Sequence, residues 1–339
     1  MMNKRLVNIL QYIFFFSLGI FLVWWSIRDL GKAERSQIRE AMHGLRYILV
    51  IPVFAILLFS HYVRALRWRL LMAPLGYIPS KTNTFFAVMI GYLANQAVPR
   101  LGEVLKCTVL ARYEKVPADK LVGTIILERL IDAICLLGVF GITLAIQPGL
   151  YTQLVNEVFN SSGQQEAQKI SGNLILLITF GIVVLIIAGW MIIKKKNFTD
   201  LFTAIKKVIA RIWEGISAIR HLKKRKAFLF YTLLIWSLYL SGGYLGFQAL
   251  KETDHYGLKE AFTVLSAGSV GMIITPGGIG GYAVLIEKCM MIYGLPKGIA
   301  LAFGWLLWLA NTAVIVIGGL FSFIALPWYN KKKMQQSPL

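Results

Sequence analysis

Apolar residues along this chain run in blocks of about twenty, the length needed to cross a bilayer as a helix. Six blocks read as full spans: Leu6–Ile27, Arg46–Val63, Leu121–Ile146, Asn173–Ile193, Phe228–Leu250 and Gly298–Leu326. Two further apolar stretches are interrupted. Thr84–Val98 and Leu101–Ala111 flank Pro99, and Leu258–Thr275 and Gly277–Ile292 flank Pro276. At about 1.5 Å of rise per residue, most of these shorter pieces reach the middle of a bilayer without comfortably crossing it. They are predicted to be re-entrant helical hairpins, whose free backbone at the tips must lie in protein or water. The order is span, span, broken pair, span, and it then repeats. Three crossings per half would insert the second half upside down, with the two tips meeting near the midplane, as in secondary transporters. The predicted fold class is therefore an all-α polytopic membrane protein with six full spans and two re-entrant hairpins in an inverted repeat. Residues 1–339 form one transmembrane domain, with a first half at 1–146, a second at 173–326, and a basic loop at 194–226.

Composition agrees with this pattern. Of 339 residues, 57% are hydrophobic and only 15% charged, which separates the chain from soluble domains with about 25% charged residues. The net charge of +20 is concentrated between spans, as expected of topology signals and anionic headgroup contacts rather than nucleic-acid binding. Lys4 and Arg5, the group Arg64, Arg67, Arg69 and Lys81, the loop beginning at Lys194, and the tail Lys331–Lys333 all fall on one side. The positive-inside rule puts that side, and both termini, in the cytoplasm. One segment is discordant: an outer loop carrying Arg28, Lys32, Arg35 and Arg39 beside Asp29, Glu34 and Glu40. The N-terminus shows no small-residue cleavage site before its apolar run and reads as an uncleaved first span. Phe198–Ile219 has helical periodicity and reads either as an interfacial amphipathic helix or as a solvated loop helix. Cys107, Cys135 and Cys289 have neither disulfide nor metal spacing, and the four histidines are dispersed, so no metal or cofactor is expected.

The candidate chemistry lies where charge interrupts apolar sequence. A charged side chain at membrane depth costs about 2.5–3.5 kcal/mol on insertion scales unless it meets a partner or a wet cavity. PRLGE places Arg100 and Glu103 three apart, able to pair on one helical face, either as a structural ion pair or with Arg100 holding a phosphate or carboxylate. LERLID carries Glu128 and Asp132 four apart with Arg129 between them, about 10–17 Å into its span. These acids could relay protons or hold a cation, or simply neutralise Arg100, Lys106 or Arg129. TPGGIGGY could present backbone amides of Gly277, Gly278 and Gly280 to an anion, or could serve close helix packing. HYVRALRWRLL reads as a basic, aromatic helix end at the headgroups.

Four motifs in order, ALRWRLL, N-x-x-x-P-R-x-G-E (Asn95–Glu103), E-R-x-x-D (Glu128–Asp132) and P-G-G-I-G (Pro276–Gly280), resemble the lysylphosphatidylglycerol-synthase transmembrane family. These are flippase-like integral membrane proteins that include the membrane half of the bacterial multiple peptide resistance factor. The resemblance implies a lipid-translocating domain of a bacterial cytoplasmic membrane. With so few residues after Leu326, the soluble aminoacyl-transferase domain found in that factor is not expected here, and the chain is expected to translocate or handle a lipid rather than synthesise one. The implied substrate-binding residues are Asn95, Arg100, Glu103, Lys106, Gly277, Gly278 and Gly280, with Glu128, Arg129, Asp132 and Glu287 for coupling or charge balance. Two departures stand out. Ala283 occupies a position where the family often has an acid, with Glu287 one turn later as a substitute, and Lys106 stands where arginine is common. The expected ligand is a phospholipid or polyprenyl-linked lipid with an anionic headgroup, and the chain could form a homo-oligomer. The rival readings are an intramembrane enzyme acting on a lipid headgroup and a non-transporting scaffold.

Overall fold

The computed structural model describes residues 17, 19–24, 26–28, 30–98, 100–150, 153 and 222–336, and within them every regular element is helical. The expected fourth span, Phe198–Ile219, nearly all of the basic loop, Pro99 and most of the first span lie outside the described residues. In chain order the helices are α1 (Lys32–His43), α2 (Val50–Met72), α3 (Lys81–Ala97), α4 (Leu101–Glu114), α5 (Ala118–Ile146), α6 (Arg225–Phe247), α7 (Leu258–Ile274), α8 (Gly281–Ile292) and α9 (Lys297–Gln336). Among the described residues, four segments are long and apolar enough to cross a membrane: Tyr47–Leu75, Ala118–Ile146, Arg225–Phe247 and Lys297–Lys331. They coincide with four of the expected spans, and the chain is a multi-pass membrane protein.

Local chemistry explains the breaks. Val98 precedes a proline, which disfavours helical ψ, and it is extended at φ −137°, ψ 112°. Arg100 then takes a left-handed φ of 69° before α4 begins. In the second pair, Thr275 is extended ahead of Pro276, and Gly277, Gly278 and Gly280 all have positive φ, which carries no steric penalty without a Cβ. At the other end of the first pair, the Ser80 hydroxyl accepts from the Asn83 amide and starts α3.

Both broken pairs fold into tight antiparallel hairpins. A Cβ on Gly102 would fall on the carbonyl of Gly91, so α3 and α4 touch backbone to backbone. A Cβ on Gly271 would lie 2.6 Å from the Tyr282 Cα, so α7 and α8 do the same. Each hairpin has its own core. Trp68, Met72, Leu110, Leu121 and Phe228 belong to the first, and Phe247, Leu250, Ile286, Met290 and Phe303 to the second. Phe228 and Phe247 lie near opposite ends of α6, separated along the helix by about 28 Å. The two cores therefore sit at opposite ends of the bundle, and the hairpins approach each other from those ends. Their tips meet: a Cβ on Gly277 would collide with the Gln96 side chain near the end of α3.

The discordant outer segment is a helix, α1, packed on α9. Gly298 of α9 lies so close to it that an added Cβ would stand 2.7 Å from the Glu34 carbonyl oxygen. Lys32, Glu34, Arg35, Arg39 and Glu40 thus lie on a short polar helix packed at the start of a span, rather than on an unstructured loop.

Candidate functional site

Lys106, Glu128 and Asp132, three of the charges that sequence placed in the membrane, meet Arg64 and Arg67 in one cluster among α2, α4 and α5. Glu128, 1% exposed, accepts from Lys106 Nζ at 2.9 Å, with Arg64 and Arg67 at 3.6 and 3.5 Å. Asp132, one turn later on the same face of α5, accepts from Arg64 Nη1 at 2.5 Å and Arg67 Nη2 at 2.6 Å. The four-residue spacing of the acids makes a two-rung ladder that bridges both arginines. Lys106 also lies over the Trp68 ring at 4.6 Å, and the Trp68 indole donates to Thr124. The Tyr239 hydroxyl of α6 accepts from Arg64 at 3.0 Å.

Arg64 and Arg67 overturn the reading of HYVRALRWRLL as a headgroup anchor. α2 runs to Met72, nine residues beyond the expected end of its span, and carries both arginines into the interior, where Arg67 is fully buried. Their partners lie more than sixty residues away, on α5.

A second correction concerns Arg100 and Glu103, which do not pair. Glu103 accepts from Arg129 Nε at 3.1 Å in a partly exposed bridge, and Arg100, exposed and left-handed, makes no ion pair among the described residues. The turn explains this: Arg100 precedes the helix with a φ that helical neighbours lack, so the i, i+3 geometry never forms. Asn95 spends its side-chain oxygen on the Gly102 amide at 2.8 Å and thereby closes the first hairpin.

The glycine turn is likewise occupied. The amides of Gly278, Ile279 and Gly281 donate to Thr275, Pro276 and Ile279 within the turn, and the Gly277 carbonyl accepts from the Trp308 indole at 2.8 Å. The Gly278 amide is therefore committed rather than offered to an anion, and the close approaches at Gly277 and Gly280 favour the packing reading. Glu287 is buried in α8, away from the ladder.

Two hollows adjoin the cluster. A narrow cleft between α3, α4 and α5 is lined by Asn95, Gly102, Glu103, Lys106 and Arg129. A cavity of about 470 Å³ opens between α2, α3, α5, α6, α7, α8 and α9, within the usual range of about 300–1,000 Å³ for small-ligand sites. Its polar wall includes His61, Arg64, Tyr92, Arg129 and Asp132, and its apolar wall includes Leu57, Leu265, Ile273, Leu307 and Ile315. Arg129 borders both hollows. Arg64, Arg129 and Asp132 line the cavity, Glu103 and Lys106 line the cleft with Arg129, and Arg67 and Glu128 lie between, so across the two hollows four cations meet three carboxylates. The sequence presents His61 only as the start of a headgroup-anchoring helix end and as one of four dispersed histidines, and Tyr92 and Tyr239 carry no motif spacing; only their place in the apolar stretches of α3 and α6 could have drawn attention to the two tyrosines. Among the described residues no cluster of His, Cys, Asp or Glu could hold a metal.

A membrane protein of the archaeon Methanocaldococcus jannaschii, UPF0104 membrane protein MJ1595, is 22% identical over 279 residues, covering 75% of this chain and 77% of that protein. No solved structure matches the chain. The model of the lysylphosphatidylglycerol synthase TM region matches residues 8–332, nearly the whole length, including every motif and each residue of the charge ladder. The chain belongs to that family of transmembrane regions.

Proposed function

We propose that this protein is a flippase-like transporter that moves a lipid with an anionic headgroup across a bacterial cytoplasmic membrane by alternating access. The observation that carries the reading is the cavity: an apolar wall that suits acyl chains faces a buried charge ladder with one cation in excess. Arg129, 43% exposed and bordering both hollows, commits its Nε to the partly exposed Glu103 and is the cation best able to turn to a phosphate, while Lys106, Arg64 and Arg67 are buried against Glu128 and Asp132. The two hairpins, with cores at opposite ends of α6 and touching tips, supply the moving parts of an inverted repeat. In this reading both termini are cytoplasmic, as the lysine and arginine distribution directs.

Purified protein reconstituted into vesicles tests this with fluorescent phosphatidylglycerol and a membrane-impermeant quencher. Transport requires the headgroup to change leaflet with its chemistry unaltered. A headgroup altered without leaflet exchange would establish the enzyme reading instead, and no exchange for any anionic lipid would leave the scaffold.

A further inference from the structure

We propose that the cavity selects headgroups that carry free hydroxyls, with His61 as the residue that reads the hydroxyl. The inference rests on the transporter reading for its lipid ligand and adds the chemistry of the headgroup. His61 is 5% exposed, lines the cavity, and neither ring nitrogen has a hydrogen-bond partner among the described residues. A buried polar group left unpaired costs about 1–3 kcal/mol, so a side chain in this state is poised for a ligand. Its ring packs 4.9 Å from the Tyr92 ring, which also lines the cavity. A neutral imidazole offers one donor and one acceptor, and a hydroxyl can satisfy either or both. Asn311, on α9, adds a neutral amide to the same cavity.

Asp132 is the one acid lining the cavity among the described residues, and its two oxygens are taken by Arg64 and Arg67. Arg129 commits its Nε to Glu103, and the rest of its guanidinium can meet a monoanionic phosphodiester while the headgroup hydroxyls meet His61.

The test is native mass spectrometry of the full chain with a lipid pair of equal chain length. Phosphatidylglycerol and phosphatidylethanol carry the same charge and differ in headgroup hydroxyls. The wild-type protein should retain phosphatidylglycerol about tenfold over phosphatidylethanol, the scale of one neutral hydrogen-bonding pair. His61→Phe keeps an aromatic ring against Tyr92 and should bring the ratio to about one. His61→Gln, with a donor and an acceptor, should restore part of it. Equal retention of the two lipids by the wild type, or an unchanged ratio in His61→Phe, overturns the inference. Free sn-glycerol 3-phosphate is added as a competitor: failure to displace the lipid supports a lipid ligand, and full displacement points to a soluble polyol phosphate and overturns it. A hydroxyl preference without leaflet exchange in vesicles would defeat the transporter reading while leaving the selectivity intact. Leaflet exchange without a hydroxyl preference would do the reverse.

Discussion

Glu128→Gln removes the one carboxylate that holds Lys106, at 2.9 Å, and that also stands within 3.6 Å of both Arg64 and Arg67. Asp132 is then left to balance two arginines, and Lys106, 9% exposed, keeps only the Trp68 ring. Removing one member of a buried ion pair costs about 3–5 kcal/mol, because the remaining charge stays desolvated and uncompensated. At about 2 °C per kcal/mol for a large chain, the melting temperature should fall by about 6–10 °C. The assay is thermal unfolding in a fixed detergent, read as reaction of the buried thiols Cys107 and Cys289 with a fluorogenic maleimide. The decisive variant is the double, Lys106→Met with Glu128→Gln. Taking away both charges removes the desolvation problem, so the double should melt at least several degrees above Glu128→Gln alone. If the two single losses simply add, Lys106 and Glu128 are not coupled, and the ladder is not what holds α4 to α5.

Three further outcomes follow from backbone geometry and from the exposed bridge. Gly102→Ala should sharply reduce the folded fraction on size-exclusion chromatography, because its Cβ meets the Gly91 carbonyl and backbone cannot move aside; Gly123→Ala, with nothing within 4 Å, is the control and should be neutral or slightly stabilising. Arg100→Gly should melt about 2 °C above Arg100→Ala, since only glycine relieves a left-handed φ of 69° worth about 1 kcal/mol, and equal melting temperatures would remove that strain. Glu103→Gln should leave stability within about 1 kcal/mol, as for other solvent-accessible pairs, and a larger drop in melting temperature would show the bridge to Arg129 to be structural.

Hydropathy by itself determined that this is an all-helical membrane protein, because a bilayer admits only segments that satisfy their own backbone and the required length is visible as an apolar run. Four expected spans matched helices to within a few residues at most ends, and both interrupted stretches broke at their prolines, because the residue before proline resists helical ψ wherever it occurs. The face shared by Glu128 and Asp132 was legible for the same reason: four residues is a helical turn. What those acids hold was not legible. Arg64 and Arg67 lie beside Trp68 in a stretch whose composition is the same whether it rests among headgroups or is carried inward by a longer helix. Arg100 looked paired to Glu103 from spacing, yet one left-handed residue breaks the helical register and Arg129 takes the acid instead. His61 opens the stretch read as a headgroup anchor, and nothing in its spacing tells that both ring nitrogens lack partners or that it lines a cavity built from seven helices. Burial and periodicity are local properties of a chain, so sequence carries them. The neutralisation of charge inside a membrane is arranged between helices far apart in sequence, and only their packing decides which charges meet.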